Sequence, residues 1–156
     1  MGGIMNASWY LREIETRGEA PGLEVHCVSG RIDALRGFEA EVEYHLEREW
    51  EPQGDLMADD DGRIHLVMYR KAIESFPAHL REAARERRST NVKLWKDIGY
   101  QFMVIASSSL DDVTRQIQEI LETADLSDVK IVGDISYQQG SYWQALSKRL
   151  YCVDVE

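Results

Sequence analysis

Six glutamates, Glu39, Glu41, Glu43, Glu47, Glu49 and Glu51, occupy alternate positions of one short stretch, with His45 filling the remaining place in the row. On an extended strand, residues two apart share a face and lie roughly 6.5–7 Å from each other. Successive phosphates along one nucleic-acid strand are spaced by a similar ~7 Å. A row of carboxylates at this pitch could occupy a basic groove built for a phosphate backbone, or dock on a Lys/Arg-rich protein surface. Desolvating several like charges requires matching cations from the partner.

A second candidate contact surface is the stretch Tyr137-Gln138-Gln139-Gly140-Ser141-Tyr142-Trp143. Tyr137, Tyr142 and Trp143 supply rigid aromatic area and the amides supply hydrogen bonds, the composition of an interface hot spot.

Metal chemistry finds weaker support. With residues 38–51 extended, His45 and His65 share an outer face with Glu47 and Glu49, and Asp59 to Asp61 lie in the adjoining loop. No HxxxH, HExxH or CxxC spacing occurs. The loop fails the EF-hand pattern as well, because Met57 and Met68 stand where acidic ligands are needed. No metal or other cofactor is expected.

Nor do the residues assemble into a catalytic motif: GxSxG, GxxxxGK[ST] and GxGxxG are all absent. His26 and Cys27 are neighbours on a strand and so point to opposite faces. Ser107-Ser108-Ser109 join a strand to a helix, a position that can bind anions, but simple helix capping is the favoured explanation.

The chain has 156 residues and a formal charge of −10. That charge is unevenly laid out. Residues 39–62 carry ten acids against Arg48 alone, and residues 63–96 reverse the sign, with nine basic groups against three acids. The negative excess disfavours direct binding to nucleic acid or anionic membranes, which need basic surface. No apolar run approaches the ~20 residues that span a bilayer. The first residues lack the basic and hydrophobic regions of a secretory signal, and Met5 is an alternative start. Two cysteines, Cys27 and Cys152, without metal spacing suit a reducing compartment. A cytoplasmic protein is expected.

The elements that must position these residues follow from periodicity. Residues 8–17 and 23–29 flank a Gly- and Pro-containing turn and suggest a hairpin. In residues 38–51, Phe38, Ala40, Val42, Tyr44, Leu46 and Trp50 share one parity and the acids the other, which predicts a half-buried strand. A helix is the rival reading, since Phe38, Val42, Leu46 and Trp50 fall four apart. It would expose Ala40 and Tyr44 and stack Glu39, Glu43, Glu47 and Glu51 as like charges at i,i+4. The strand is therefore expected, paired across a polar loop ending in Asp61-Gly62 with a strand over 63–72.

Ser75-Phe76-Pro77 opens a basic helix to about Arg88, with Ser75 as cap. Residues 100–107 form an apolar strand. Ser109 and Asp112 form a capping box for a helix to about Asp125. A strand follows over 128–136, then a short helix from Ser141 to about Arg149, then a strand over 151–155. Together these predict one α+β domain over residues 1–156. It comprises an N-terminal antiparallel β-meander of about four strands followed by alternating helices and strands.

The functional expectation is a non-enzymatic binding protein. Its acidic sheet face would meet a basic protein surface or a nucleic-acid-binding protein, as inhibitors and immunity proteins do. Two alternatives stand beside it. One is a small ligand-binding domain or enzyme with a pocket near Ser107–Ser109 and Tyr137–Trp143. The other is an assembly or scaffold subunit.

Overall fold

Alternating apolar residues make most of the strands. In β3 (Arg63–Lys71), Ile64, Leu66 and Met68 are fully buried, the pattern of a sheet with one face in the core. β3 pairs antiparallel with β1 (Leu23–Arg31) on one side and with β2 (Glu51–Ala58) on the other. The β2–β3 turn lies at Asp59–Gly62, where Gly62 adopts φ +78° as the Asp-Gly pair predicts. A second antiparallel sheet has the order β4-β6-β5, from β4 (Ile98–Ser107), β5 (Val129–Gln138) and β6 (Ser141–Tyr151). Three α-helices occur among the described residues: α1 (Leu35–Leu46), α2 (Ala78–Ser89) and α3 (Leu110–Thr123). This computed structural model describes residues 22–89, 98–123 and 129–151. The strand expected over 8–17, the loop carrying Trp95, and Cys152 with the residues after it lie outside them.

The protein is α+β, with its described residues in one compact unit. The two sheets and α1 close a ring, each element packing on the next: β1, β3, β2, β5, β6, β4, α1 and back to β1. Inside it lies a core of Val28, Phe38, Val42, Leu56, Leu66, Phe102 and Trp143 with their neighbours. Truncating a buried Phe such as Phe38 to Ala would cost about 3–5 kcal/mol. Phe38 packs directly on Gly30, where an added Cβ would meet its side chain at 2.7 Å. α3 covers the outer face of the second sheet, burying Val113 against Ile105 and Leu146. Its Ser109 cap forms as expected, the Asp112 N–H donating to Ser109 Oγ at 3.2 Å.

Three sequence expectations are corrected. Residues 38–51 are not one strand: α1 runs to Leu46, and β3 pairs with residues 51–58, which were expected in the loop. The stripe Phe38, Val42 and Leu46 is buried, while Ala40 is exposed and Tyr44 is 51% exposed. Arg48 compensates Tyr44, lying 3.6 Å from its ring centroid. Residues 141–149 are strand, not helix. As β6 they form the central strand of their sheet, buried on both faces, so no clean period-two pattern marks them. Finally, Ser75 is not a helix cap; its Oγ donates to the Ala72 carbonyl at 2.6 Å, and α2 starts after Pro77.

The ring is sealed at β2 and β5 by side chains rather than by a continuous ladder. Both strands carry a bulge there. Asp55 Oδ1 accepts the Asp134 N–H at 2.6 Å, and Gln138 bridges Ala58 and Leu56. Gly133, at φ +72°, lets the strands approach; a Cβ there would lie 2.7 Å from the Gly54 carbonyl oxygen.

Candidate functional site

The glutamate row serves the fold. Glu39 and Glu43 sit one helical turn apart on α1 and face the free edge of β4. Glu43 Oε2 accepts the Phe102 N–H and Glu39 Oε2 accepts the Val104 N–H, each at 2.9 Å. A helix rise of ~6 Å over four residues matches ~6.8 Å over two strand residues. Arg36 spans both carboxylates, at 3.2 Å from Glu39 and 2.6 Å from Glu43. The like-charge stacking that argued against a helix is thus offset by two amides and a guanidinium. Glu47 continues the row with Arg48 Nη1 3.9 Å away. Glu49 is held by Arg87 and Arg88 at 2.6 and 2.8 Å. Glu51 accepts from the Tyr69 hydroxyl at 3.5 Å, and Glu41 is exposed. The six acids therefore form no common sheet face.

The histidines separate as well. His45 is buried on α1, donates its Nδ1–H to the Glu41 carbonyl at 2.8 Å, and stacks on His26 at 4.8 Å. Burial lowers the His26 pKa, with His45 adding to the shift and Glu41 opposing it. His65 lies across the sheet. Among the described residues no cluster of three metal-ligating side chains occurs.

Tyr137, Tyr142 and Trp143 also divide. They flank a tight β5–β6 turn in which Gln139 and Gly140 both have positive φ. Trp143 is only 3% exposed and donates its Nε1–H to the Gln138 carbonyl at 2.9 Å, so it is a core residue. Tyr137 is 61% exposed and leans on Tyr142, ring centroids 4.6 Å apart.

Most of the chemistry gathers instead at one end of the ring, in a cavity of about 820 Å³. Leu46, Trp50, Phe76, Tyr100 and Val132 line it together with the end of α2. The charged lining comprises Lys71, Arg87, Arg88, Lys130 and Arg149 against Glu49 and Glu51. Chain topology explains the gathering. β3 ends, β5 begins and β6 ends at this mouth, so each delivers a cation from its terminus, while α2 supplies two arginines from its last turn. Cations at a helix C-terminus also complement its dipole.

Arg88 is the most unusual group there. It is 9% exposed, its Nε donates to Glu49 Oε1 at 2.8 Å, and its guanidinium lies 5.3 Å from the Phe76 ring centroid. Lys71 Nζ approaches the same ring at 5.1 Å. Among the described residues, Arg88 Nη1 is buried with no hydrogen-bond partner. A buried unsatisfied donor of a charged group costs upward of about 1–3 kcal/mol. Glu49 carries strain of its own, at φ +75°. Burial pushes its carboxyl pKa up, but hydrogen bonds from Arg87 and Arg88 outweigh this and hold it below the usual carboxylate range.

Sequence reasoning marked the helix as basic but missed this cavity. The sign reversal over residues 63–96 was the available signal. Neither Ser107–Ser109 nor Tyr137–Trp143 contributes to the lining. No protein-family model, curated protein or solved structure matches the chain.

Proposed function

We propose that the protein binds a compact anionic small molecule, bearing phosphate or carboxylate groups, in the cavity between the ring mouth and α2. The observation that carries this reading is the unsatisfied Arg88 Nη1 inside a lining with three more cations than anions, in a chain whose formal charge is −10. An arginine held through Nε by Glu49 leaves its outer nitrogens for a planar or tetrahedral oxyanion. The volume suits a small-molecule site, and the mouth of a barrel-like ring is a common place for one. Aromatic walls at Trp50, Phe76 and Tyr100 suit an apolar or ring portion of the same ligand.

Thermal-shift titration with phosphate, pyrophosphate and citrate, against chloride at matched ionic strength, tests this. A saturable rise in Tm with one of these anions is expected in the native protein and is lost in Arg88→Met. Equal shifts with chloride, or an undiminished shift in the variant, sink the reading.

A second reading keeps a basic protein partner, in the manner of an inhibitor or immunity protein. It is supported by the charge outside the cavity, a net −13 once the lining is set apart. Glu41, Asp60 and Asp61 are exposed and make no side-chain ion pair among the described residues. A cytoplasmic setting accompanies either reading; the exposed free thiol of Cys27 supports a reducing compartment. No helix of the described residues is long and apolar enough to cross a membrane. Affinity purification at low and high salt, with Glu41→Gln/Asp60→Asn/Asp61→Asn as comparison, tests the partner reading. Basic proteins released by salt and lost in the triple variant support it; an unchanged set of partners ends it.

A further inference from the structure

On the outer face of the first sheet three side chains stand in line. Ser29 Oγ is 2.7 Å from His65 Nδ1, and His65 Nε2 is 2.8 Å from Asp59 Oδ2. The register pairs Ser29 directly with His65 across β1 and β3. The other Asp59 oxygen accepts the Asp61 and Arg63 N–H groups, each at 3.0 Å, so the carboxylate is locked in the β2–β3 turn.

We propose that Ser29, His65 and Asp59 form a nucleophilic relay that accepts an acyl group from a carboxylic ester. The proton positions follow from the acceptors. An ionised carboxylate can only accept, so His65 Nε2 carries the ring hydrogen and Nδ1 presents its lone pair. The Ser29 hydroxyl then donates to Nδ1, the polarity of an activated nucleophile. Asp59 is held ionised by that bond and by the backbone donors, its carboxyl lying below the ordinary range. It acts as a positioning residue.

Arg63 supplies a cation for the developing oxyanion. It lies two residues before His65 on the same face of β3, diagonal to Ser29, and its guanidinium makes no ion pair among the described residues. Diagonal neighbours of this kind stand about 7–8 Å apart, within reach of a long side chain.

The step balances without an added oxidant or metal. Ser29 Oγ bonds to the ester carbonyl carbon as its proton passes to His65 Nδ1. The carbon–oxygen bond to the leaving alcohol then breaks, and that oxygen takes the proton from His65. Water, deprotonated by His65, hydrolyses the acyl-serine and regenerates the hydroxyl. Ser29 is exposed and Asp59 half-buried, so the face is open to an ester carried on a larger molecule as well as to a small one.

The test uses p-nitrophenyl acetate with the full chain carrying Cys27→Ala, because that thiol sits 3.8 Å from Ser29 Oγ and reacts with aryl esters itself. A single acetyl group mapped by mass spectrometry to Ser29, and absent in Ser29→Ala, is expected. His65→Gln should slow acylation about 100-fold or more. The acylation rate should depend on pH in the parent and lose that dependence in His65→Gln. Circular dichroism checks that each variant is folded. Acetylation of lysines alone, an unchanged rate in Ser29→Ala, or no acylation overturns the proposal.

Discussion

Glu43 Oε2 on α1 accepts the backbone N–H of Phe102 on β4 at 2.9 Å, so a helix carboxylate satisfies the free edge of a sheet. Glu39 repeats the arrangement at Val104. Unpaired strand edges invite pairing with another chain, and here a helix closes one while completing the ring.

Glu43→Ala should therefore destabilise the protein by about 1–3 kcal/mol, since it strips a charge-assisted acceptor from a part-buried donor. The variant should also self-associate at lower concentration than the parent. Urea denaturation and light scattering check the two effects.

Gly133→Ala should cost more than about 1 kcal/mol, because alanine is strained at φ +72° and its methyl group would press on the Gly54 carbonyl. The β2–β5 seam would loosen, and Tm should fall. By comparison, Ala at Gly22, which has nothing within 4 Å of an added Cβ among the described residues, should leave Tm nearly unchanged.

The Glu49 contribution to stability should depend on pH in one direction. Its carboxyl lies below the ordinary value of 4.5 in the folded protein. A depressed carboxyl stabilises fully above its unfolded value and loses that contribution as pH falls through the folded one. The Tm difference between the parent and Glu49→Gln should be largest above 4.5 and shrink below it. A difference that grows on acidification contradicts the ion-pair account.

Trp143→Phe should cost about 1–3 kcal/mol through a lost buried hydrogen bond and a small void. Tyr137→Ala, at an exposed position, should change stability by less than about 0.5 kcal/mol. If Tyr137 belongs to an interface, that variant alters partner retention while leaving Tm intact.

Local signals were read correctly where one physical effect dominated. The Asp61-Gly62 turn, the Ser109 cap and the alternation in β3 depend on neighbours in sequence, and each formed where expected. Residues 38–46 satisfied period two and period four together, and the deciding term lay elsewhere. Arg36 and the β4 amides turned a repulsive glutamate stack into a set of acceptors. β6 was misread because a strand buried on both faces loses its polar parity.

The α+β class, the Asp61-Gly62 turn and the uneven charge were thus present in the residue order itself, because turn chemistry, capping and amphipathic period act over a few positions. The closed ring, the cavity around Arg88 and the Ser29–His65–Asp59 line depended on tertiary structure alone. Each joins groups from distant segments, and no local pattern records which strand end meets which helix.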